Sequence, residues 1–321
     1  MSNWTSLSGS ASTTWTTILA LSTTIYLARR IQKRLSPKRR AIIRPTEERI
    51  LILGASSGLG RAVAKQYAAR KAKICIVARR AEQLSQLAEE CGDGCFWVAA
   101  DFSSVADMVR VREKVLVEWG GLDSLCICAG VSAVQPVMSL AGVEPKKDHD
   151  ADDVGIQTAL DIASRATQAN FNGPLVTALS FIPLLKRTSA SPSILLVSSV
   201  AAVVPAPTRA LYAATKASSL LLFQSLAIEH PDIVFSFILP ATIEGNFRAT
   251  AVDASLSPQE AAPHKQGLKL DYVAERCVGV IDQQVRGNVV IPWFPYAIAH
   301  HLYNIWPSFI EQQARRKYNF N

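Results

Sequence analysis

The first 46 residues contain no aspartate or glutamate, and the first 28 carry no charged side chain at all. A cleaved secretory signal, which sets its positive charge ahead of an apolar run, does not look like this. The six cysteines (Cys75, Cys91, Cys95, Cys126, Cys128, Cys277) lack the paired Cys/His clusters that a zinc site requires, and Cys91 and Cys95 have no matching second pair, so no metal is expected. Cys75, Cys126 and Cys128 fall in segments that read as buried strands, where a thiol behaves as a small hydrophobe and points weakly to a reducing compartment. The body of the chain has no excess of positive charge. The formal net charge is +8, but Arg29, Arg30, Lys33, Arg34, Lys38, Arg39, Arg40 and Arg44 supply all of it, so residues 47–321 balance to zero. A folded nucleic-acid reader carries its basic stripe on the domain itself, so nucleic acid is not an expected partner. No internal repeat or low-complexity run is present in the body.

The two ends are apolar in different ways. Trp15–Ala28 is apolar but diluted by threonine and serine, a marginal match to the ~20 apolar residues of a membrane span. The block Arg29–Arg44 follows it, and the positive-inside rule then keeps the remainder in the cytosol. The expectation is an N-terminal anchor, with a mitochondrial presequence and a disordered tail as rival readings. Near the other end, Val289–Ile310 contains no Asp, Glu, Lys or Arg, yet its three prolines argue against a straight spanning helix. Its aromatics and the pair His300–His301 suit a membrane-interface or hydrophobic-channel lid, or else a segment packed on the domain or on a partner subunit. Ala314-Arg315-Arg316-Lys317 suits anionic headgroups.

Between these ends short apolar runs alternate with helix-period segments. Strands are expected at Arg49–Leu53, Lys73–Ala78, Cys95–Ala99, Ser124–Cys128, Ser193–Val197, Ile233–Leu239 and Asn288–Ile291. Helices are expected at Leu59–Arg70, Ala81–Glu90, Ser104–Trp119, about Gln157–Lys186, Leu211–Glu229 and Val273–Val285. Near-continuous apolar strands separated by helices indicate α/β architecture: a doubly wound parallel sheet of Rossmann type, covered on both faces. Residues 1–46 then form an apolar segment plus basic linker, 47–292 one catalytic domain, and 293–321 an aromatic and basic extension.

The first strand runs into Gly54-Ala55-Ser56-Ser57-Gly58-Leu59-Gly60, and a helix follows at once. Gly54 permits the tight turn, Gly58 lets backbone approach a pyrophosphate, and Gly60 lets helix and strand pack closely, with the helix N-terminus offering free N–H groups to phosphate. Gly54, Ser56, Ser57, Gly58, Leu59 and Gly60 are therefore candidate cofactor contacts. The second strand ends in Val77-Ala78-Arg79-Arg80 with no acid to accept from a ribose 2′-hydroxyl. Arg79 instead offers a planar fork suited to a 2′-phosphate, and Arg80 can add charge. This favours NADP(H), with NADPH preferred over NADH. Tyr212-Ala213-Ala214-Thr215-Lys216 sets a phenol and an ammonium at i and i+4, on one helix face. The ammonium is expected to depress the phenol pKa and make Tyr212 an acid–base group.

The glycine turn resembles that of the short-chain dehydrogenase/reductase superfamily, with Leu53 in place of the usual threonine, and further landmarks of that family recur in order over roughly Arg49–Val290. The resemblance implies a catalytic set of Asn170, Ser199, Tyr212 and Lys216. In it Ser199 polarises the substrate carbonyl, Lys216 hydrogen-bonds the nicotinamide ribose, and Asn170 holds a water that relays protons. It also implies adenine contact by Asp101 and cofactor contacts by Ala129, Gly130, Tyr212, Lys216 and Thr242. Two motifs depart from the pattern. The usual N-N-A-G is Ile127-Cys128-Ala129-Gly130, which loses a strand-tying asparagine, and after the sixth strand Gly245 stands where a carboxamide-contacting threonine is usual, leaving Thr242 or backbone to compensate. The stretch from Gly130 to Asn170 is longer than usual, with a polar run, Pro145–Asp153, that reads as an exposed insertion. Glu244–Leu270 corresponds to the family's substrate lid.

The anchor, the apolar end and Arg79 together resemble the 11β-hydroxysteroid-dehydrogenase-like branch. That branch implies a membrane-associated oxidoreductase facing the cytosol, with a small hydrophobic carbonyl or alcohol substrate of steroid, retinoid, keto-lipid or terpenoid class. The endoplasmic reticulum is the expected location, with mitochondria as the alternative, and the assembly is a homodimer or homotetramer. The rival function is a non-catalytic NADPH-binding sensor or assembly protein on the same fold.

Overall fold

The computed structural model describes residue 24 and residues 39–143, 149–256, 266–318 and 320. The anchor or presequence reading of residues 1–28, most of the basic block, part of the polar insertion and residues 257–265 of the lid lie outside the described residues.

Seven strands form one all-parallel sheet: β1 Arg49–Leu53, β2 Lys73–Ala78, β3 Cys95–Ala99, β4 Ser124–Ile127, β5 Ser193–Val197, β6 Val234–Pro240 and β7 Gly287–Ile291, in the order β3-β2-β1-β4-β5-β6-β7. The order reverses between β1 and β4, and such a switch point opens a crevice beyond the carboxyl ends of the strands. Helices α1 Gly58–Ala69, α2 Ala81–Cys91, α3 Val105–Trp119, α4 Asp153–Thr167, α5 Gly173–Thr188, α6 Ala210–Glu229 and α7 Leu270–Asp282 cover the two faces.

Alternation along the central strands divides the core. Leu51, Leu53, Leu125, Ile127, Ile194 and Leu196 face one side and pack against Met108 and Val115 of α3, Phe181 and Leu185 of α5, and Leu220 and Phe223 of α6. Ile50, Ile52, Cys126, Leu195 and Ile238 face the other, against Val63 and Tyr67 of α1 and Val273 and Cys277 of α7. Because both faces are buried, the strands read as continuous apolar runs rather than alternating ones. Capping sets several helix ends: Ser104 Oγ accepts from Asp107 N at the start of α3, Asp152 Oδ1 accepts from Gly155 N at the start of α4, and Gly120 ends α3 with φ +67°.

The single helical stretch expected over Gln157–Lys186 is longer at both ends and is not uniform. α4 begins at Asp153, within the polar run read as a loop, and a π-helical turn, Gln168–Asn172, joins it to α5. Such turns insert one residue and re-aim the side chains around it; here they turn Asn170 inward, where it is buried.

The base of the domain, at the amino ends of the strands, holds a network of buried charges. Arg39, in the helical turn Arg39–Ile42, is 1% exposed. Its guanidinium donates to Glu48 Oε1, to Ser124 Oγ (2.8 Å), to the Ser191 carbonyl (3.1 Å) and to the Asp123 carbonyl (3.2 Å). Arg70 also bonds Glu48, and Arg40 and Arg70 both bond Asp282 Oδ2, at 2.6 and 3.0 Å. Arg39 and Arg40, read as linker, are thus keyed into the domain.

After β7 the chain turns through Pro292 and Pro295 into α8 Tyr296–Tyr303 and, after Pro307, α9 Pro307–Tyr318. The prolines do break the apolar run, as expected. Among the described residues one helix, α6, is long and apolar enough to cross a membrane by length and composition alone. It also carries Lys216 and Ser219 into the protein interior.

Candidate active site

A groove of about 1690 Å³ opens at the carboxyl ends of the strands. Its lining contains every candidate catalytic and cofactor residue read from the sequence except Asn170, which is buried behind Gly130.

The glycine turn forms the floor under one end. A Cβ on Gly54 would stand 2.6 Å from Ala129 N, and one on Gly60 2.4 Å from the Gly54 carbonyl oxygen, so both are glycine because backbone touches backbone there. Gly58 differs: with φ +55° and nothing within 4 Å of where a Cβ would be, it faces open space at the first position of α1. Ser57 caps that helix without a side-chain bond, so the first backbone N–H groups of α1 remain available to an anion. This cradle fits the pyrophosphate of a dinucleotide.

The two arginines after β2 are placed differently from one another. Arg80, expected only to add charge, donates through Nη2 to Ser56 Oγ and Ser57 Oγ, both at 2.8 Å, and so arches over the turn. Arg79 lies exposed on the groove wall. Asp101, at the end of β3, accepts from Ser103 N and Oγ at 2.9 and 2.7 Å, which fixes its carboxylate at the groove edge.

At the other end of the groove the four expected catalytic side chains converge. Lys216 is buried, and its Nζ donates to the Val197 carbonyl at 3.0 Å. Burial pulls its pKa down to about 8. Asn170 Oδ1 accepts from Val131 N (2.9 Å), while its Nδ2 donates to the Val131 carbonyl and to Thr215 Oγ1, both at 3.0 Å. Gly130 separates the two: a Cβ there would stand 2.9 Å from both Asn170 Oδ1 and Lys216 Nζ. Ser199 follows β5, its Oγ accepting from Ala201 N at 3.1 Å, and lines the groove beside Tyr212, whose phenol pKa its hydroxyl acts to hold down. Its neighbour Ser198 turns away, Oγ to the Lys216 carbonyl at 3.4 Å.

One expectation is overturned. The Tyr212 phenol is pushed up, not down. Burial is the largest cause. The Ser199 hydrogen bond and the nearby Arg209 charge oppose it, and a second phenol, Tyr318, adds to it. Lys216 Nζ donates instead to the Val197 carbonyl. Tyr212 lines the groove, where its phenol can pass a proton to or from a substrate oxygen.

Two contributors, Arg209 and Asp253, were not read from the sequence, whereas Phe247 was read as part of an apolar lid. Arg209 is buried and donates to Ser132 Oγ and the Ala133 carbonyl at 3.0 and 3.1 Å. Asp253, fully buried, accepts from Val134 N and Gln135 N and so clamps the lid segment to the loop after β4. Phe247 meets the Tyr212 ring edge-on at 6.0 Å. Arg209, three residues before Tyr212, shows no periodic or motif signal, and Asp253 lies between two short 3-10 turns, Phe247–Thr250 and Ala254–Leu256. Of the two departures, Cys128 Sγ meets Cys126 Sγ at 3.5 Å, and Gly245 takes φ +121° and lines the groove with Thr242.

The family model for short chain dehydrogenase matches residues 48–255. Among curated proteins, 11-beta-hydroxysteroid dehydrogenase-like 4A of Arabidopsis thaliana is 29% identical over 248 residues, 75% of each chain. 11-beta-hydroxysteroid dehydrogenase-like 2 of the same plant is 32% identical over 199 residues, 60% of this chain and 58% of that one. Among solved structures, an alcohol dehydrogenase from the archaeon Thermococcus sibiricus complexed with 5-hydroxy-NADP superposes with a TM-score of 0.61 at 23% identity, covering 76% of this chain and 95% of the other. A 3-ketoacyl-(acyl-carrier-protein) reductase from Brucella melitensis complexed with NADH gives 0.62 at 27% identity, covering 77% and 97%.

Proposed function

The chain belongs to the short-chain dehydrogenase family, and from that premise we propose that it is an NADP(H)-dependent oxidoreductase acting on a carbonyl/alcohol pair, with a lipophilic ketone or aldehyde as substrate. The observation that carries this is the meeting of Tyr212 with Ser199 and, one helical turn on, of buried Lys216 with Asn170 across Gly130, all beside a groove whose glycine cradle fits a dinucleotide. A bound nicotinamide would supply or accept the hydride. The chain's own residues handle the proton. Tyr212, protonated at neutral pH, gives its proton to the carbonyl oxygen, and Ser199 aligns the same oxygen by hydrogen bonding. Lys216 offers an ammonium within the protein, and Asn170 fixes the Val131 backbone against Thr215 so that Lys216 and Gly130 keep their separation.

Arg79 and Arg80, with no acid beside them, support preference for NADPH over NADH, through contact with a 2′-phosphate. The apolar lining and the hydroxysteroid-dehydrogenase-like relatives support a substrate of steroid, retinoid, keto-lipid or terpenoid class. Exposed Leu221 (66%) and Ile228 (82%) on α6, and Leu179 (69%) on α5, leave an apolar face that supports a homodimer or homotetramer. For location, the proposal is an endoplasmic-reticulum membrane held through residues 1–28, with the domain in the cytosol; full release by carbonate washing would exclude it. The test of the activity is NADPH oxidation by the purified chain against a panel of hydrophobic ketones and aldehydes. Bound NADPH with no oxidation across the panel would reject the enzymatic reading.

A further inference from the structure

The family match stops at residue 255, yet the groove does not. Its outer wall is built by α8 and α9, through Ile298, Leu302, Phe309, Ile310 and Tyr318. Ile310 is the one buried side chain of α9, and it points into this wall. Across the cavity stand Val204, Phe247 and Val252, with Phe247 against Tyr212. The cap is fastened at defined points. His300 Nδ1 lies 3.1 Å from the Val203 carbonyl, in the loop that follows Ser199. Lys317 Nζ donates to Tyr296 Oη at 2.9 Å and sits 4.9 Å over the same ring, which staples the end of α9 to the start of α8. Tyr318, the last residue of α9, lines the same groove as Tyr212. Fastened to the loop after Ser199, the cap belongs to the catalytic end of the groove.

Resting on the proposed carbonyl chemistry, we infer that the C-terminal extension α8–α9 is the intramolecular wall of the substrate site, which selects carbonyl compounds with a long or bulky apolar body running from Tyr212 along Leu302 and Phe309. A small carbonyl reaches Tyr212 without touching this wall. A larger one gains contact with each added methylene.

The test is binding of 2-alkanones, from 2-butanone to 2-decanone, to the full-length chain by calorimetry. Affinity is expected to rise with chain length, by up to about fourfold per methylene if each is fully buried. Leu302→Ala combined with Phe309→Ala should flatten that rise, weakening 2-decanone at least tenfold while leaving 2-butanone within twofold. Leu302→Trp, which fills the cavity rather than loosening the cap, should exclude 2-decanone and leave 2-butanone bound. A length dependence unchanged in both variants, or no dependence in the parent chain, overturns the inference. Length-dependent binding without NADPH-driven reduction would leave the wall standing and reject the proposed activity instead.

Discussion

Replacement of Arg39 by methionine tests whether the folded domain reaches back beyond the stretch shared with the family. Arg39 is 1% exposed and makes four hydrogen bonds at the base of the sheet. Methionine fills much of the same space but donates nothing. The loss of one hydrogen bond to a buried carboxylate removes about 1.5–3 kcal/mol, and a buried carbonyl left without its donor costs about 1–3 kcal/mol. The Ser191 carbonyl is that orphan, since the Asp123 carbonyl keeps Ser193 N at 3.0 Å. Together these give roughly 3–5 kcal/mol, the same range as breaking a buried ion pair from one side. At about 2–4 °C per kcal/mol for a domain of this size, the thermal midpoint should fall by about 6–20 °C. The control is Arg44→Met. Arg44 pairs with Glu47 at 3.6 Å with both side chains exposed, a contact worth at most ~1 kcal/mol. Melting of both variants, followed by circular dichroism at pH 7, decides the matter. An Arg39→Met midpoint indistinguishable from that of Arg44→Met would refute the buried-network account.

Tyr212→Phe should bind NADPH as the parent does, measured by fluorescence titration, and turn over no carbonyl substrate; an active variant removes Tyr212 as proton donor. Burial sets the Lys216 pKa near 8, below the ordinary lysine value, so the cost of its buried charge is fully present below pH 8 and fades as pH rises toward 10.5. The stability gap between Lys216→Met and the parent should therefore narrow from pH 7 to pH 10, and NADPH affinity of the parent should weaken above pH 8 while Lys216→Arg holds it; flat profiles in both would contradict this. Arg80→Ala should cut the NADPH-over-NADH preference about tenfold, a change of about 1.4 kcal/mol; Arg79→Ala, made in parallel, shows which guanidinium carries the phosphate contact, and no change in either would end the 2′-phosphate reading. Gly54→Ala forces a side chain onto Ala129 backbone at φ +81°, and should destabilise by at least ~1–3 kcal/mol in urea unfolding; a neutral outcome would mean the turn can relax.

The sheet was legible because its strands are buried on both faces and punctuated by glycine turns, so composition and period agree. Every strand lies within a residue of its expected span. The chemistry-bearing positions were legible because Tyr212 and Lys216 are a helical turn apart and the glycines sit where backbone must touch backbone. What escaped reading depends on contacts remote in sequence. Arg39 finds its partners at Glu48, Asp123, Ser124 and Ser191, and among eight cations nothing local marks it for burial. The direction of the Tyr212 pKa is set first by desolvation, which is not encoded in the i, i+4 spacing. The segment after β7 was legible as a channel lid or a packed extension among other readings, but which of its side chains line the groove was not.

The Arg39 lock also fixes a direction of travel. It pins the leading segment at the amino ends of the strands, whereas the groove, and the exposed rim of Trp293 and Phe294 that follows β7, lie toward the carboxyl ends. A five-residue strand spans about 17 Å at ~3.3 Å per residue. Were the leading segment embedded in a bilayer, an upright molecule would hold its entrance a full strand's height above the lipid. Only by lying on its flank could it dip that rim into the headgroups and take a water-insoluble guest without releasing it to solvent.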